Sequence, residues 1–233
     1  MPDSHIQAIL LDIEGTTTPI SFVHDVLFPY SKSNLHSYLQ HHANSADLLA
    51  DLTLLEDEHT NDVRNGNQPA PIVEPYVHWL IDQDRKSPAL KSLQGKIWKQ
   101  GYLDGSLKAT LFPDVLPAMT RWRQQNIQIA IFSSGSVLAQ KLLFQHTDAG
   151  DVTHLIQDFF DTGVGKKTET TSYQQISNGV GVATEKMLFI SDVTAELAAA
   201  ASASVNTLLC IRPGNPTQSG RHNFRSISTF SEI

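Results

Sequence analysis

The chain has 233 residues, which bounds it to one large domain or one domain with a modest second unit. Lys and Arg total 17 against 24 Asp and Glu, a formal net charge of -7 that leaves no basic excess for a nucleic-acid backbone. The single cysteine, Cys210, excludes an internal disulfide and any four-thiolate metal site, and no stretch approaches the ~20 apolar residues that span a bilayer.

The first apolar run, Gln7 to Ile13, is short and aliphatic and breaks at Glu14-Gly15. It predicts a buried strand that delivers side chains to its C-terminal edge. Asp12 and Glu14 stand two apart and share a face while the backbone stays extended. Two carboxylates in one pocket repel, so the pair suits a bound cation or a carboxyl kept protonated as an acid. Gly15-Thr16-Thr17-Thr18 adds flexible backbone and hydroxyls suited to an anion.

From about Ile20 to Thr110 the spacing turns helical, at Leu48, Leu52 and Leu55, at Val73, Tyr76, Val77 and Leu80, and at Leu90, Leu93 and Ile97. A turn at Asn65-Gly66-Asn67-Gln68-Pro69 interrupts it. Beyond the insertion, three apolar runs end in polar or small residues: Ile127 to Phe132, Met187 to Ile190 and Thr207 to Ile211. Helical patterns lie between them, at Val115, Met119 and Trp122, at Val137 to Phe144, and at Ala195 to Ala203. This alternation predicts an α/β fold, a Rossmann-like three-layer parallel-sheet core (1 to 19 and 111 to 233) with an inserted helical cap (20 to 110). Ligands bind such sheets at the carboxyl ends of the strands.

Ser133-Ser134, followed by Gly135, offers hydroxyls and amides at the second strand end. Lys167 precedes a helix beginning near Glu169, and Asp192 follows a later strand. No H-E-x-x-H spacing occurs, His41-His42 reads as a surface pair, and Phe132-Ser133-Ser134-Gly135-Ser136 lacks the leading glycine of a nucleophile elbow, so zinc and serine-hydrolase chemistry are not expected.

An Asp at the first strand end, a Ser at the second, a Lys before a helix and an Asp at a later strand end resemble, in that order, the haloacid dehalogenase-type hydrolases. The runs DIEGTTTPISFVHDVLFPY (12 to 30), KSPALKSLQGKIWKQGY (86 to 102), IFSSGSVLAQKLLF (131 to 144) and LFISDVTAEL (188 to 197), with RPGN (212 to 215), are similar to the acireductone-forming enolase-phosphatases of methionine salvage. The resemblance covers nearly the whole chain. It implies a Mg²⁺-dependent enzyme, with one ion per chain, that enolises 2,3-diketo-5-methylthiopentyl-1-phosphate and then removes its phosphate to give an acireductone. Its partner would be that small phosphate ester, not nucleic acid or a membrane, and a cytoplasmic monomer is expected, with the nucleus a further address in a eukaryote. Glu14 stands where most of the wider superfamily has a second Asp. Lys166 adjoins the motif lysine, and the choice of Lys167 rests on its spacing to Ser172-Tyr173.

The roles implied follow from phosphate-ester chemistry. Asp12 would be the nucleophile, forming an aspartyl-phosphate and splitting one hard step into two. Asp12, Asp192 and the backbone carbonyl of Glu14 would hold Mg²⁺, leaving the Glu14 side chain to protonate the leaving oxygen and then activate water. Ser133, Ser134 and Lys167 would bind the phosphoryl group. The base for enolisation is open between Glu14 and a residue of the insertion, where Lys86, Lys91, Trp98 and Tyr102 lie in a family-like stretch. Without the resemblance, Trp98 reads as core and the lysines as solvated. The competing readings are a phosphatase of the same type acting on another small phosphate monoester, a dehalogenase on the same scaffold, and a non-catalytic phosphate-binding module. Magnesium dependence and turnover separate them.

Overall fold

Six strands pair in parallel as one sheet: β1 (Ala8–Leu11), β2 (Gln128–Phe132), β3 (Asp158–Phe160), β4 (Met187–Ser191), β5 (Asn206–Cys210) and β6 (Ser226–Ile227). The computed structural model describes residues 5–85, 87–216 and 223–233, so Lys86 lies outside the described residues. The spatial order is β3-β2-β1-β4-β5-β6. The chain builds outward from β1 through β2 to β3, then returns to lay β4 on the other side of β1. The crevice at the carboxyl ends of β1 and β4 is therefore the topological switch point, where open α/β sheets bind ligands. In register, Leu11 faces Ile131 on one side and Ile190 on the other, so Asp12 and Asp192 leave adjacent strands at the same edge.

The four longer strands follow from their aliphatic content. β3 and β6 are absent from the sequence reading because three and two residues carry too few side chains to show a period. Alternate residues of the sheet, Ala8, Leu10, Ala130, Phe132, Met187 and Phe189, join one core with Tyr173, Ile176 and Val180 of the helix α7 (Thr170–Val180) and Leu197 and Ala200 of α8 (Thr194–Ser202). The intervening Ile9, Leu11, Ile129, Ile131 and Ile190 are equally buried, so both faces of the sheet are covered, as an all-parallel sheet requires. The helices α5 (Val115–Gln124) and α6 (Val137–Gln145) complete the βα alternation.

By compactness the chain divides into Met1–Val23 with Lys108–Ile233, and His24–Leu107. The second unit holds four helices: α1 (Phe28–His41), α2 (Ala46–Arg64), α3 (Glu74–Asp82) and α4 (Pro88–Asp104). Ser45 and Ser87 cap α2 and α4 by accepting the Leu48 and Leu90 amides, and Pro88 sits at the first position of α4, where its missing N–H costs nothing. Leu35, Leu48, Leu55, Tyr76, Leu80, Leu93 and Ile97 form its core. α1 lies in the stretch read as helical but shows no apolar spacing of its own, because only Ser31, Leu35 and Tyr38 of its length are buried, a narrow stripe on a polar helix. Trp98 is core: its ring stacks on Phe28 and its indole N–H donates to the Leu27 carbonyl at 2.8 Å. Lys91 is half-buried, His41 is exposed, and His42 stacks on Tyr38 with ring centroids 4.3 Å apart.

Asp62 is the most demanding group of this unit. Its buried carboxylate accepts from Tyr76 Oη (2.8 Å), Asn67 Nδ2 (2.9 Å) and Arg85 (3.0 Å), donors that outweigh burial and hold its pKa below the usual carboxylate range. Tyr76→Phe removes one donor from a buried anion and should destabilise the protein by about 1–2 kcal/mol. A urea midpoint equal to that of the wild type would show that Tyr76 contributes only its ring.

Candidate active site

Asp12 leaves the end of β1 with its N–H bonded to the Ile190 carbonyl at 3.0 Å, so the residue still follows the sheet. Its side chain is buried at 4% exposure and held from three directions. Oδ1 accepts the Ile13 N–H at 2.7 Å and lies 2.7 Å from Lys167 Nζ, and Oδ2 accepts the Ser191 hydroxyl at 2.9 Å. Lys167 also pairs with Glu196 of α8, Nζ to Oε2 at 2.7 Å, and the Ser191 hydroxyl reaches the same Oε2 at 3.0 Å. Three segments distant in sequence, at Asp12, Lys167 and Ser191 to Glu196, thus meet here.

Lys167 arrives there because its backbone is pinned. Ser172 Oγ donates to the Lys166 carbonyl at 2.7 Å and Tyr173 Oη to the Lys167 carbonyl at 2.7 Å, which fixes the turn before α7. Lys166 instead points to solvent, with a 3.8 Å contact to Glu169. The Ser172-Tyr173 spacing therefore separates the two lysines for a physical reason.

The electrostatics are those of excess negative charge. Lys167 stays protonated: burial alone would lower its pKa, but Asp12 and Glu196 outweigh that and raise it. Asp192 is pushed up to about 7 by burial and by the Asp12 charge, with Glu14 adding to the effect. Glu196 is likewise pushed up to about 7, by burial first and Asp12 second. One ammonium cannot neutralise this many carboxylates.

Gly15 explains how the loop after β1 fits. Its φ is +68°, and a Cβ there would lie 2.4 Å from Asp192 Oδ2, so both conformation and space demand glycine. The expected anion cradle at Gly15 to Thr18 is spent internally. The Thr16, Thr17 and Thr18 amides all reach the Ile13 carbonyl, the Gly15 N–H bonds Thr18 O at 2.8 Å, and Thr17 Oγ1 lies 3.2 Å from both Asp12 O and Ile13 O. This turn shapes the site and presents no free amides from those residues. Ser133, at the end of β2, is buried, donates its N–H to the Phe160 carbonyl and accepts the Gly135 N–H on Oγ, while Ser134 is half-buried. The Ser133 Oγ proton remains available to donate. Register alone brings Ser133 to the edge occupied by Asp12.

A family model for haloacid dehalogenase-like hydrolases matches residues 6–204. The chain is 48% identical over 234 residues to the enolase-phosphatase E1 of Synechococcus elongatus, covering 98% of each chain. Against the enolase-phosphatase E1 of Danio rerio it is 40% identical, covering 97% of this chain and 94% of that one. The crystal structure of the Saccharomyces cerevisiae Unknown transcript 4 protein superposes with a TM-score of 0.77 at 33% identity, covering 98% and 100% of the two chains. The chain belongs to the enolase-phosphatase family of haloacid dehalogenase-like hydrolases.

For an enolase-phosphatase, the donor set at this edge suits a hard divalent cation. Asp12 and Asp192 supply carboxylates that a cation would relieve of their mutual repulsion. Among the described residues no group of three His, Cys, Asp or Glu side chains is placed to hold a metal ion. Glu196 and Ser191 are the site residues that the sequence reading missed. The signal was present in S-D-V-T-A-E, where a second acid follows Asp192 by four residues, in the first turn of α8.

A carboxyl with a raised folded pKa binds its proton more tightly when folded, so it lowers stability as pH climbs from its unfolded value through its folded one. For Asp192 that window runs from 3.8 to about 7. In metal-free buffer the thermal midpoint should fall as pH rises from 3.8 to about 7, and Asp192→Asn should flatten the decline. An identical slope in the variant would remove Asp192 as its source.

Proposed function

We propose that this chain is a Mg²⁺-dependent enolase-phosphatase that converts 2,3-diketo-5-methylthiopentyl-1-phosphate to the acireductone 1,2-dihydroxy-3-keto-5-methylthiopentene and phosphate, with the inserted unit as its cap. The observation that carries the reading is the Asp12 carboxylate held against Lys167 beside Asp192, in a chain of this family. When bound by Asp12, Asp192 and the Glu14 carbonyl, Mg²⁺ supplies positive charge to the phosphate and a Lewis acid to a substrate oxygen.

The chain's own residues do the rest. A base, either Glu14 or a residue of the insertion, takes the proton next to the substrate carbonyl and leaves the enolate on that carbonyl oxygen. Asp12 then attacks phosphorus: the new O–P bond forms as the bond to the enol-bearing oxygen breaks, and the Glu14 carboxyl gives that oxygen its proton. Lys167 shifts its charge from the carboxylate to the transferring phosphoryl group, with the Ser133 and Ser134 hydroxyls on its oxygens. Glu14, now ionised, takes a proton from the water that hydrolyses the aspartyl-phosphate. The inserted unit, as cap, serves to keep other water out.

Incubation with the diketo phosphate ester, following acireductone absorbance and phosphate release together, tests the whole reading. Both signals should rise with Mg²⁺ and vanish in EDTA. Phosphate release from simple esters without acireductone would assign the chain to another phosphate monoester. Asp12→Asn should reduce phosphate release by more than ~10³-fold, and a loss below ~10-fold would refute its role as nucleophile. Glu14→Gln keeps the backbone carbonyl but loses the proton, so kcat should fall ~10²–10⁴-fold with Mg²⁺ affinity little changed. Equal losses of acireductone formation and of simple-ester hydrolysis in Glu14→Gln would place the enolisation base elsewhere, in the 86 to 102 stretch.

A further inference from the structure

The segment after β5 reads Arg212-Pro213-Gly214-Asn215, and the structure folds it as a turn: the Asn215 N–H bonds the Arg212 carbonyl at 3.1 Å, and Gly214 has φ +88°. Proline then glycine at the two central positions, with positive φ at the second, is the type II β-turn pattern. Such a turn brings its first and last residues side by side. Both side chains reach back to the loop after β1, where they take successive carbonyls: Asn215 Nδ2 donates to Gly15 O at 2.9 Å, and Arg212 Nε donates to Thr16 O at 3.1 Å.

Arg212 is itself immobilised. It is buried at 5% exposure between the Phe112 and Phe230 rings, 4.5 and 4.7 Å from their centroids, and its Nη1 donates to Asp114 Oδ1 at 2.9 Å and to the Ser228 carbonyl at 3.0 Å. The turn is thus a fixed post on which the loop hangs.

The loop needs one. Gly15 is required because its φ is +68° and Asp192 Oδ2 would lie 2.4 Å from a Cβ there, yet glycine has the freest backbone of any residue, and its φ and ψ are the swivel between the Glu14–Gly15 and Gly15–Thr16 peptide planes. The first plane is tethered by Gly15 N–H to Thr18 O, and because a trans peptide sets C=O opposite N–H, this bond aims the Glu14 carbonyl. The second plane is tethered at its N–H side by Thr16 to Ile13 O at 3.2 Å and at its carbonyl side by Asn215 Nδ2 at 2.9 Å. We propose that the Arg212–Asn215 turn is a clamp that fixes the Gly15 swivel, and that Asn215 is a positioning residue for the Glu14 carbonyl and carboxyl. The inference rests on the metal and proton roles proposed for Glu14.

The test has one arm that is independent of those roles. In metal-free protein, Asn215→Ala should speed hydrogen exchange of the Gly15 amide by ~10-fold, as loss of about one hydrogen bond implies, while the Leu10 and Leu11 amides are unchanged. Unchanged exchange at Gly15 overturns the clamp. In the second arm, calorimetric Mg²⁺ titration should show affinity weakened ~10-fold, and kcat should fall ~10-fold with KM within a factor of ~3. Asn215→Gln, which keeps the donor, should recover part of both losses. A lowered thermal midpoint with wild-type Mg²⁺ affinity and kcat overturns the positioning role and leaves Asn215 merely structural. A wild-type protein that neither binds Mg²⁺ nor turns over the diketo ester defeats the proposed function, and the exchange arm still decides the clamp.

Discussion

The organisation of the sheet unit follows from one constraint: several carboxylates are gathered at the carboxyl edge of a parallel sheet around a single buried ammonium group. Asp12, Asp192 and Glu196 are all nearly buried, and Lys167 is the cation they share. Anions packed this way are costly unless they are paired, protonated or bound to metal. The raised pKa values of Asp192 and Glu196 show that Lys167 alone does not meet that cost. A phosphate dianion entering such a site would meet net repulsion. In the proposed function that excess charge is what a divalent cation would offset, and the cation would in turn supply positive charge to the substrate's phosphate.

Topology decides where that charge collects. Because the chain returns from β3 to place β4 against β1, the residues following β1 and β4 are neighbours, although 180 positions separate Asp12 from Asp192 in a chain numbered to 233. The price is crowding. Asp192 sits where a side chain on Gly15 would be, so the loop must use glycine and must be held by something other than its own stiffness. Aromatic packing at Arg212 supplies that rigidity from a strand two places away.

Much of this was legible in the residues. Four strands and most helices announce themselves by period, and Asp12 and Asp192 follow apolar runs that end abruptly. The motif order in Asp12, Ser133, Lys167 and Asp192 carried the family. What escaped the sequence has physical reasons. β3 and β6 gain their strand character from pairing with β2 and β5, not from their own two or three residues. α1 buries too narrow a stripe to show a spacing of its own. Thr16, Thr17 and Thr18 looked like an anion cradle, but no local pattern reveals that the Ile13 carbonyl takes all three amides. Glu196 and Ser191 act through contacts that only the fold creates.

Hydrogen accounting at Lys167 explains how a lysine already paired twice can still serve a substrate. An ammonium has three N–H donors in tetrahedral array. Asp12 Oδ1 and Glu196 Oε2, each at 2.7 Å, take two. Carbonyl bonds from Ser172 and Tyr173 hold the backbone on either side of the residue, so the side chain cannot swing toward solvent as Lys166 does. The third donor is the one a phosphoryl oxygen can claim without breaking either ion pair. In the proposed reaction, where Asp12 gives its electron pair to phosphorus, the Lys167 bond to it would weaken as negative charge builds on the transferring oxygens, and the ion pair with Glu196, a buried carboxylate, would keep the ammonium in place.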